Sequence, residues 1–134
     1  MKFKKRFLFL LLAFFALFTL VGCKNNIAKE DGKFSVEVID ASEKVLCKES
    51  IGFKEGDNIV DLLKANEKVK LDGTMSEYGI YVTTLCGKNA SDAGETYFWS
   101  LYVDDKVSEV GLSSVELKDG LKIKFVLTDW TKFE

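Results

Sequence analysis

Apolar and polar residues alternate along much of the chain after residue 33, which is the pattern of half-buried β-strands. Phe34, Val36 and Val38 share one parity. The same spacing continues after a polar interval, at Val45, Cys47, Ile51 and Phe53. Because the residues 41–44 between the two segments can turn the chain, the pattern predicts an opening β-hairpin.

The period changes at Ile59, and this change predicts a helix. Ile59, Leu62 and Leu63 are three and four residues apart, which is the spacing of one helical face. Asp57 precedes them as the predicted N-cap, and Asn66 follows them as a residue that can end a helix in a left-handed conformation. We therefore expect one short amphipathic helix packed on a sheet.

Strand patterns return in the second half of the chain. Residues 78–86 are rich in β-branched and aromatic side chains, whereas the polar stretch around Asp72-Gly73 is interpreted as a connection. Residues 97–103 place large side chains on both parities, which predicts a central strand. Residues 121–127 alternate after the turn signal Asp119-Gly120.

The resulting order is two strands, a helix and three further strands, ββαβββ. This order indicates an α+β fold of the β-grasp type, in which a mixed sheet packs on one short helix. A small antiparallel sandwich is the alternative. Asp104-Asp105-Lys106 is expected to turn the chain, and residues 107–115 are expected to be irregular around Gly111.

The N-terminal segment has the features of a bacterial lipoprotein signal. A basic hexapeptide precedes the apolar run Phe7–Leu20, which is followed by Leu20-Val21-Gly22-Cys23. The run is shorter than the ~20 apolar residues that a membrane-spanning helix needs. We expect a signal peptide at 1–22 and a lipid on Cys23. An uncleaved signal anchor or an ordinary cleaved signal is the alternative.

Lipidation at Cys23 would divide the chain into a signal peptide, a lipidated tether at 23–33 and a single domain at 34–134. The chain would then sit at the extracytoplasmic face of the cell membrane, with the lipid bilayer as its partner through Cys23. Removal of the four basic residues of the leader leaves 15 basic and 21 acidic residues, a net charge of −6. Such a balance repels phosphate backbones, so nucleic acid is excluded as a partner.

The composition offers little for catalysis. The chain contains no histidine, so neither a histidine-based triad nor a histidine zinc site is available. Adjacent side chains at a turn generally diverge, so Asp104-Asp105 is interpreted as a solvated turn and not as a calcium site or an acid/base pair. We predict no enzyme, no metal site and no required cofactor.

Two cysteines remain once Cys23 is assigned to the lipid. Cys47 and Cys86 form an even pair in an oxidising compartment, where a disulfide would close a loop of roughly 40 residues. Two unpaired buried thiols that act as small apolar residues are the alternative. The sequence does not show whether the two strands are adjacent, so both possibilities stay open.

Several short motifs together resemble the transcobalamin-like C-terminal domain family. They are the helix start Gly56–Leu63, the strand Tyr97-Phe98-Trp99-Ser100-Leu101, Val110-Gly111-Leu112, Leu117-Lys118-Asp119-Gly120 and the end Asp129-Trp130. The resemblance covers nearly the whole mature domain. It implies a β-grasp module related to soluble-ligand-binding domains, which in the vertebrate vitamin B12 carriers closes over one face of cobalamin. Bacterial stand-alone members, often lipoproteins, are mostly catalogued as domains of unknown function.

The resemblance also implies where a ligand would bind. The carriers approach the corrin largely with the connection after the tryptophan-containing strand, which corresponds here to Asp105–Val110. Val107 and Val110 would supply apolar contacts, and a solvated hairpin loop is the equally weighted alternative. Tyr97 and Tyr102 are further candidates because a tyrosine presents an apolar ring and a polar tip. Trp99 is expected in the core.

Three functions follow for testing. The favoured function is that of a surface lipoprotein that binds a small ligand, with cobalamin or a related corrinoid as the ligand implied by the resemblance. Such a protein would assist uptake together with a membrane transporter or a second surface protein. A surface module for protein–protein interaction or adhesion is the alternative, and an enzyme would have to rely on carboxylates alone.

Overall fold

The described part of the chain, residues 30–132 in a computed structural model, follows the predicted order of two strands, a helix and further strands. The helix is α1 (Ile59–Ala65), and short 3-10 turns lie at Ala90–Asp92, Leu112–Ser114 and Trp130–Lys132. The strands are β1 (Gly32–Ile39), β2 (Val45–Phe53), β3 (Asp72–Ser76), β4 (Gly79–Leu85), β5 (Lys88–Asn89), β6 (Tyr97–Val103), β7 (Lys106–Val107) and β8 (Lys122–Asp129). The α+β class is therefore confirmed.

The predicted signal peptide and lipidated cysteine lie outside the described residues. The strand β1 begins at Gly32, so the last two residues of the predicted tether 23–33 belong to the folded sheet. The backbone N–H of Lys33 donates to the Asp119 carboxylate at 3.0 Å, which fixes this end of β1 beside the turn before β8. Within residues 30–132 no helix is long and apolar enough to cross a membrane.

The larger sheet has five strands in the order β2-β1-β8-β6-β7. Its centre is a parallel pair, because β1 and β8 run side by side with Val36 opposite Ile123 and Val38 opposite Phe125. All other pairs in this sheet are antiparallel. A mixed sheet of this order around one helix is the β-grasp arrangement. Strand β6, predicted as central, lies between β8 and the two-residue β7.

One face of the larger sheet forms the core with α1. Every second residue of the two central strands is buried, as the alternation predicted: Phe34, Val36, Val38, Ile123, Phe125 and Leu127. The helix contributes Ile59, Val60 and Leu63 to the same cluster. Burial of each such side chain stabilises the fold by ~1.5–3 kcal/mol, which explains why a helix of two turns persists.

Both predicted ends of the helix are wrong in detail. The N-cap is Asn58, whose side chain accepts the N–H groups of Val60 and Asp61, while Asp57 instead accepts the N–H of Lys54 at 2.9 Å. Asn66 ends the helix, but in an extended conformation with φ −70°. Its side chain accepts the N–H groups of residues 68 and 69, each at 3.0 Å, so it caps the following turn.

A second sheet of three strands, in the order β3-β4-β5, was only partly predicted. Strand β4 matches the expected segment 78–86, but β3 occupies the stretch around Asp72-Gly73 that was interpreted as a connection. The sequence of β3 lacks apolar alternation, and it is a strand because it pairs with β4, with Met75 opposite Ile80. Pairing with a neighbour has overridden the local pattern.

Trp99 joins the two sheets. Its side chain is 6% exposed, and its indole N–H donates to the carbonyl oxygen of Thr83 on β4 at 3.1 Å. The prediction that Trp99 belongs to the core is confirmed.

Candidate functional site

The turn between β6 and β7 is held in one conformation. Val103 pairs with Lys106, and the two residues between them, Asp104 and Asp105, have φ angles of 49° and 68°. Two positive φ angles define a type I′ hairpin turn, in which Asp is tolerated. The Asp104 carboxylate accepts the N–H of Lys122 at 3.0 Å, so the turn is fastened to the start of β8.

The charge of Asp104 strengthens this attachment. The backbone N–H of Lys122, and then the Lys118 ammonium at 3.1 Å, stabilise the carboxylate and lower its pKa below the ordinary value. Lys118 is thereby drawn toward the turn from the segment that precedes β8. The β6–β7 turn and the 112–118 segment are thus connected across a gap.

The loop after β7 is closed by its own hydroxyl group. The N–H of Ser108 donates to the Leu101 carbonyl at 2.9 Å, which extends the β6–β7 ladder by one bond. The Ser108 hydroxyl donates to the carbonyl of Val110 at 2.7 Å and accepts its N–H at 3.2 Å. Val107 and Val110 remain 61% and 52% exposed in this fixed loop.

The segment 112–118 is anchored at its beginning. Leu112 is buried in the core, and the Ser113 hydroxyl accepts the N–H of Ile80 on β4 at 3.0 Å. The N–H of Val115 donates to the Leu112 carbonyl at 3.1 Å and completes the 3-10 turn. An irregular segment without helical or strand period is therefore positioned by both sheets.

These elements enclose a shallow groove of about 420 Å³, which we call the valine groove. Its apolar lining consists of Val103, Val107, Val110, Val115 and Leu121. Its charged residues are two lysines and two glutamates, Lys106, Lys118, Glu109 and Glu116. An apolar floor with a balanced polar rim suits an uncharged ligand that carries hydrogen-bonding groups.

A second depression, the acidic groove, lies on the other side of Val115 and Glu116 and has a volume of about 530 Å³. Phe53, Ile59 and Leu117 line it, together with the acidic residues Asp31, Glu55 and Asp57. The Asp31 carboxylate accepts the backbone N–H of Glu55, so it is engaged in joining the start of β1 to the end of β2. Within residues 30–132 no group of three or more cysteine, aspartate or glutamate side chains is arranged to hold a metal ion.

The structure brings together two of the five predicted ligand-contacting residues. Val107 and Val110 line the valine groove, whereas Asp105 lies beside Lys122, 3.7 Å from its ammonium, in a separate depression of about 180 Å³. Tyr102 precedes the groove residue Val103 on β6, so its side chain lies on the opposite face of the sheet. There the Lys124 ammonium is 5.3 Å from the centre of the Tyr102 ring. Tyr97 is at the far end of β6 and packs on the core cluster.

Sequence reasoning missed the residues that complete the groove. Val115 and Leu121 are apolar, but Val115 belongs to a segment with no regular period, so no pattern pointed to it. The two remaining predicted sites lie elsewhere: Cys47 and Cys86 line neither groove, and Cys23 falls outside the described residues.

Known structures share this fold at low sequence identity. A Ruminococcus gnavus protein, named as a candidate metal-binding protein, superposes with a TM-score of 0.58 at 18% identity over 74% of this chain and 98% of that one. Haptocorrin in complex with Cbi superposes with a TM-score of 0.56 at 15% identity over 81% of this chain. This chain spans only 28% of the length of haptocorrin. Both proteins are named for what they bind and not for a reaction.

Sequence comparison agrees with the structural one. No curated protein matches the chain. The sequence profile of one family matches residues 56–129. This range includes the helix, the segment 112–118 that lines both grooves, and the final strand β8. The resemblance to transcobalamin-like domains of unknown function is thus confirmed, and the chain belongs to the family described as a domain of unknown function, DUF4430.

Proposed function

We propose that this chain is a lipid-anchored extracytoplasmic protein whose valine groove binds a small ligand, cobalamin or a related corrinoid, and assists its uptake. One observation carries the proposal: Val107 and Val110 are held exposed beside an apolar groove by a loop that is already ordered. The structure of haptocorrin in complex with Cbi, part of which shares this fold, supports this choice of ligand class.

The groove is prepared for binding. Ser108 closes the loop on Val110, and Asp104 fastens the preceding turn to β8. A loop that is ordered before the ligand arrives loses little conformational entropy on binding. Covering an exposed valine removes apolar surface from water and contributes on the order of 1 kcal/mol or more to the free energy of binding.

The rim of the groove fits the neutral amides of a corrinoid. The lining contains two lysines and two glutamates, and Lys118 is itself paired with Asp104 at 3.1 Å, so no excess of positive charge selects for an anion. A groove of about 420 Å³ that is open to solvent covers one face of a large ligand and not the whole of it. A membrane transporter or a second surface protein would cover the other face.

A titration of the full chain in detergent tests the ligand. Cobalamin and cobinamide are added, and binding is followed by calorimetry and by the visible spectrum of the corrin. We expect saturable binding that weakens by about tenfold or more when Val107 and Val110 are both changed to serine.

Val45→Ser is the matched control, because Val45 is an exposed valine on β2 that lines neither groove. It should leave the affinity unchanged. Absence of binding by a folded chain would overturn the corrinoid proposal, and equal weakening by the control would overturn the location.

The lipid anchor is tested independently of the ligand. The chain, expressed with its leader in a bacterium, is expected in the membrane fraction with a diacylglyceryl mass on its N-terminal peptide. Cys23→Ser should release it from that fraction, whereas Cys47→Ser should not. A membrane-bound Cys23→Ser chain without lipid would contradict anchoring at this residue.

One feature favours the alternative function, a surface module that binds another protein. The β3–β4 hairpin presents Met75, Tyr78 and Tyr81 to solvent, and Tyr78 is 86% exposed. Aromatic residues and methionine are enriched where proteins contact one another. Cross-linking of a defined surface protein, lost in Tyr78→Ser but kept in Val107→Ser, would support this alternative over the first proposal.

A further inference from the structure

Cys47 and Cys86 are far apart in the sequence, but their side chains lie close enough for each thiol to shift the pKa of the other. Cys47 lies on β2, the edge strand of the five-stranded sheet, opposite Val38 of β1. Cys86 directly follows β4 of the three-stranded sheet. Both are free, half-buried thiols that pack against the core cluster.

Neighbouring contacts bring β2 and the residue that follows β4 to the same segment, residues 68–69. Glu49, two residues after Cys47 on the same parity of β2, pairs with the Lys68 ammonium at 3.1 Å. The carbonyl of Val69, the next residue, accepts the backbone N–H of Cys86 at 2.7 Å. Contacts at residues 68 and 69 therefore connect the Glu49 side chain of β2 with the backbone of Cys86, independently of the two thiols.

The backbone at Cys86 has an unusual conformation. Leu85 pairs with Lys88, and the two residues between them, Cys86 and Gly87, have φ angles of 52° and 77°. This is a type I′ turn, whose first central position favours asparagine, aspartate or glycine. A cysteine in the left-handed region has a strained backbone by comparison. A disulfide bond at Cys86 would offset the free energy that this conformation costs.

We propose that Cys47 and Cys86 form an intramolecular disulfide that ties the five-stranded sheet to the three-stranded sheet. A disulfide-bearing oxidant, such as oxidised glutathione or an exported dithiol oxidase, accepts the electrons and protons that the two thiols lose. The two protein thiols lose two protons and two electrons and form the S–S bond, and the oxidant's disulfide is reduced to two thiols.

The environment indicates a structural bridge and not a catalytic dithiol. Burial raises the pKa of Cys47, and burial together with the neighbouring Cys47 raises the pKa of Cys86 to about 12. Catalytic dithiols have the opposite property, a lowered pKa that favours the reactive thiolate.

The test is a map of the disulfide in the full chain. The purified chain is equilibrated with oxidised glutathione, unfolded, alkylated without reductant and digested. We expect a peptide that joins Cys47 to Cys86, that is two hydrogens lighter than the sum of its parts and that disappears on reduction. If both residues are alkylated without reduction, or if either joins two chains or stays linked to glutathione, the proposal is overturned.

Thermal unfolding gives a second readout. Reduction of the bridged chain should lower its melting temperature by about 10 °C, because the unfolded chain loses a closed loop of roughly 40 residues. Cys47→Ser and Cys86→Ser are the matched controls, and reductant should not change the melting temperature of either. If reductant does not change the melting temperature of the bridged wild-type chain, the disulfide does not stabilise the packing of the two sheets. Neither readout depends on the corrinoid proposal.

Discussion

The two sheets of this protein use their side chains in different ways. The five-stranded sheet buries one complete parity of its central strands, from Phe34 on β1 to Leu127 on β8. The three-stranded sheet buries only Ile80 and Leu85 of its own strands and leaves Tyr81 exposed. The five-stranded sheet is stabilised mainly by the apolar surface that it buries. The three-stranded sheet depends more on a few hydrogen bonds, such as those to Thr83 and from Ile80.

The difference separates stability from surface function. The larger sheet and α1 supply the core, while the valine groove depends on a segment that both sheets position, through the buried Leu112 and the bond from Ile80 to Ser113. The exposed groove residues Val107 and Val110 can therefore be changed without disturbing the alternating core.

The largest expected effect compares one aromatic residue from each sheet. Phe125→Ala removes a ring that is fully buried at the centre of the larger sheet and should lower the free energy of unfolding by ~3–5 kcal/mol. Tyr81→Ala removes an exposed ring of the smaller sheet and should change it by no more than ~0.5 kcal/mol. Urea unfolding followed by fluorescence measures both, and equal losses would erase the distinction between the sheets.

An intermediate effect is expected where the sheets are joined. Trp99→Phe keeps an aromatic ring but leaves the Thr83 carbonyl without its indole donor, which should cost ~1–3 kcal/mol of unfolding free energy. Trp130→Phe changes an exposed tryptophan and is the matched control, with an expected change below ~0.5 kcal/mol. Indistinguishable urea midpoints for the two variants would show that the indole bond does not hold the sheets together.

The smallest effect concerns the β1–β2 turn, where the Lys88 ammonium of the smaller sheet lies 4.0 Å from Asp40. The Ser42 hydroxyl, then the Lys44 N–H, lower the pKa of the Asp40 carboxyl below 3.8. Because the unfolded chain holds this proton more tightly, the stabilisation is present above pH 3.8 and is lost as pH falls through the folded-state pKa.

Asp40→Asn keeps the accepting oxygen and removes the charge, so it should flatten the acid side of a plot of urea midpoint against pH. Ser42→Ala removes the main cause of the lowered pKa and should shift the acid loss to higher pH. An unchanged acid slope in Asp40→Asn would show that other carboxyls dominate the acid sensitivity.

Local patterns were sufficient for the larger sheet and insufficient for the smaller one. The alternation at Phe34–Val38 and at Leu121–Leu127 predicts which residues are buried, because every second side chain of a strand points to the same face of the sheet. Strand β3 has no such alternation, since its side chains are mostly exposed and its backbone hydrogen bonds are formed with β4. The N-cap was misassigned by one residue because Asp57 and Asn58 are both good acceptors and only the turn geometry decides between them.

The candidate sites divide in the same way. The resemblance indicated Val107 and Val110 from their place after β6, and the structure puts both in one groove. Val115 could not be found, because it reaches the groove from a segment that only tertiary contacts position. The meeting of Cys47 with Cys86 likewise depends on how two sheets pack, which no spacing along the chain encodes.

The parallel pairing of β1 and β8 determines at which end of the domain the chain enters, and so how far the grooves would lie from a lipid on Cys23. Since β1 starts beside Asp119 and Gly120, the chain enters the domain at the end where Asp31 lines the acidic groove and Val115 separates it from the valine groove. Asp31 is eight positions after Cys23, and even a fully extended chain spans at most about 28 Å over that distance. Under the proposed anchoring, a lipid on Cys23 would therefore keep the end of the domain that carries both grooves close to the membrane surface.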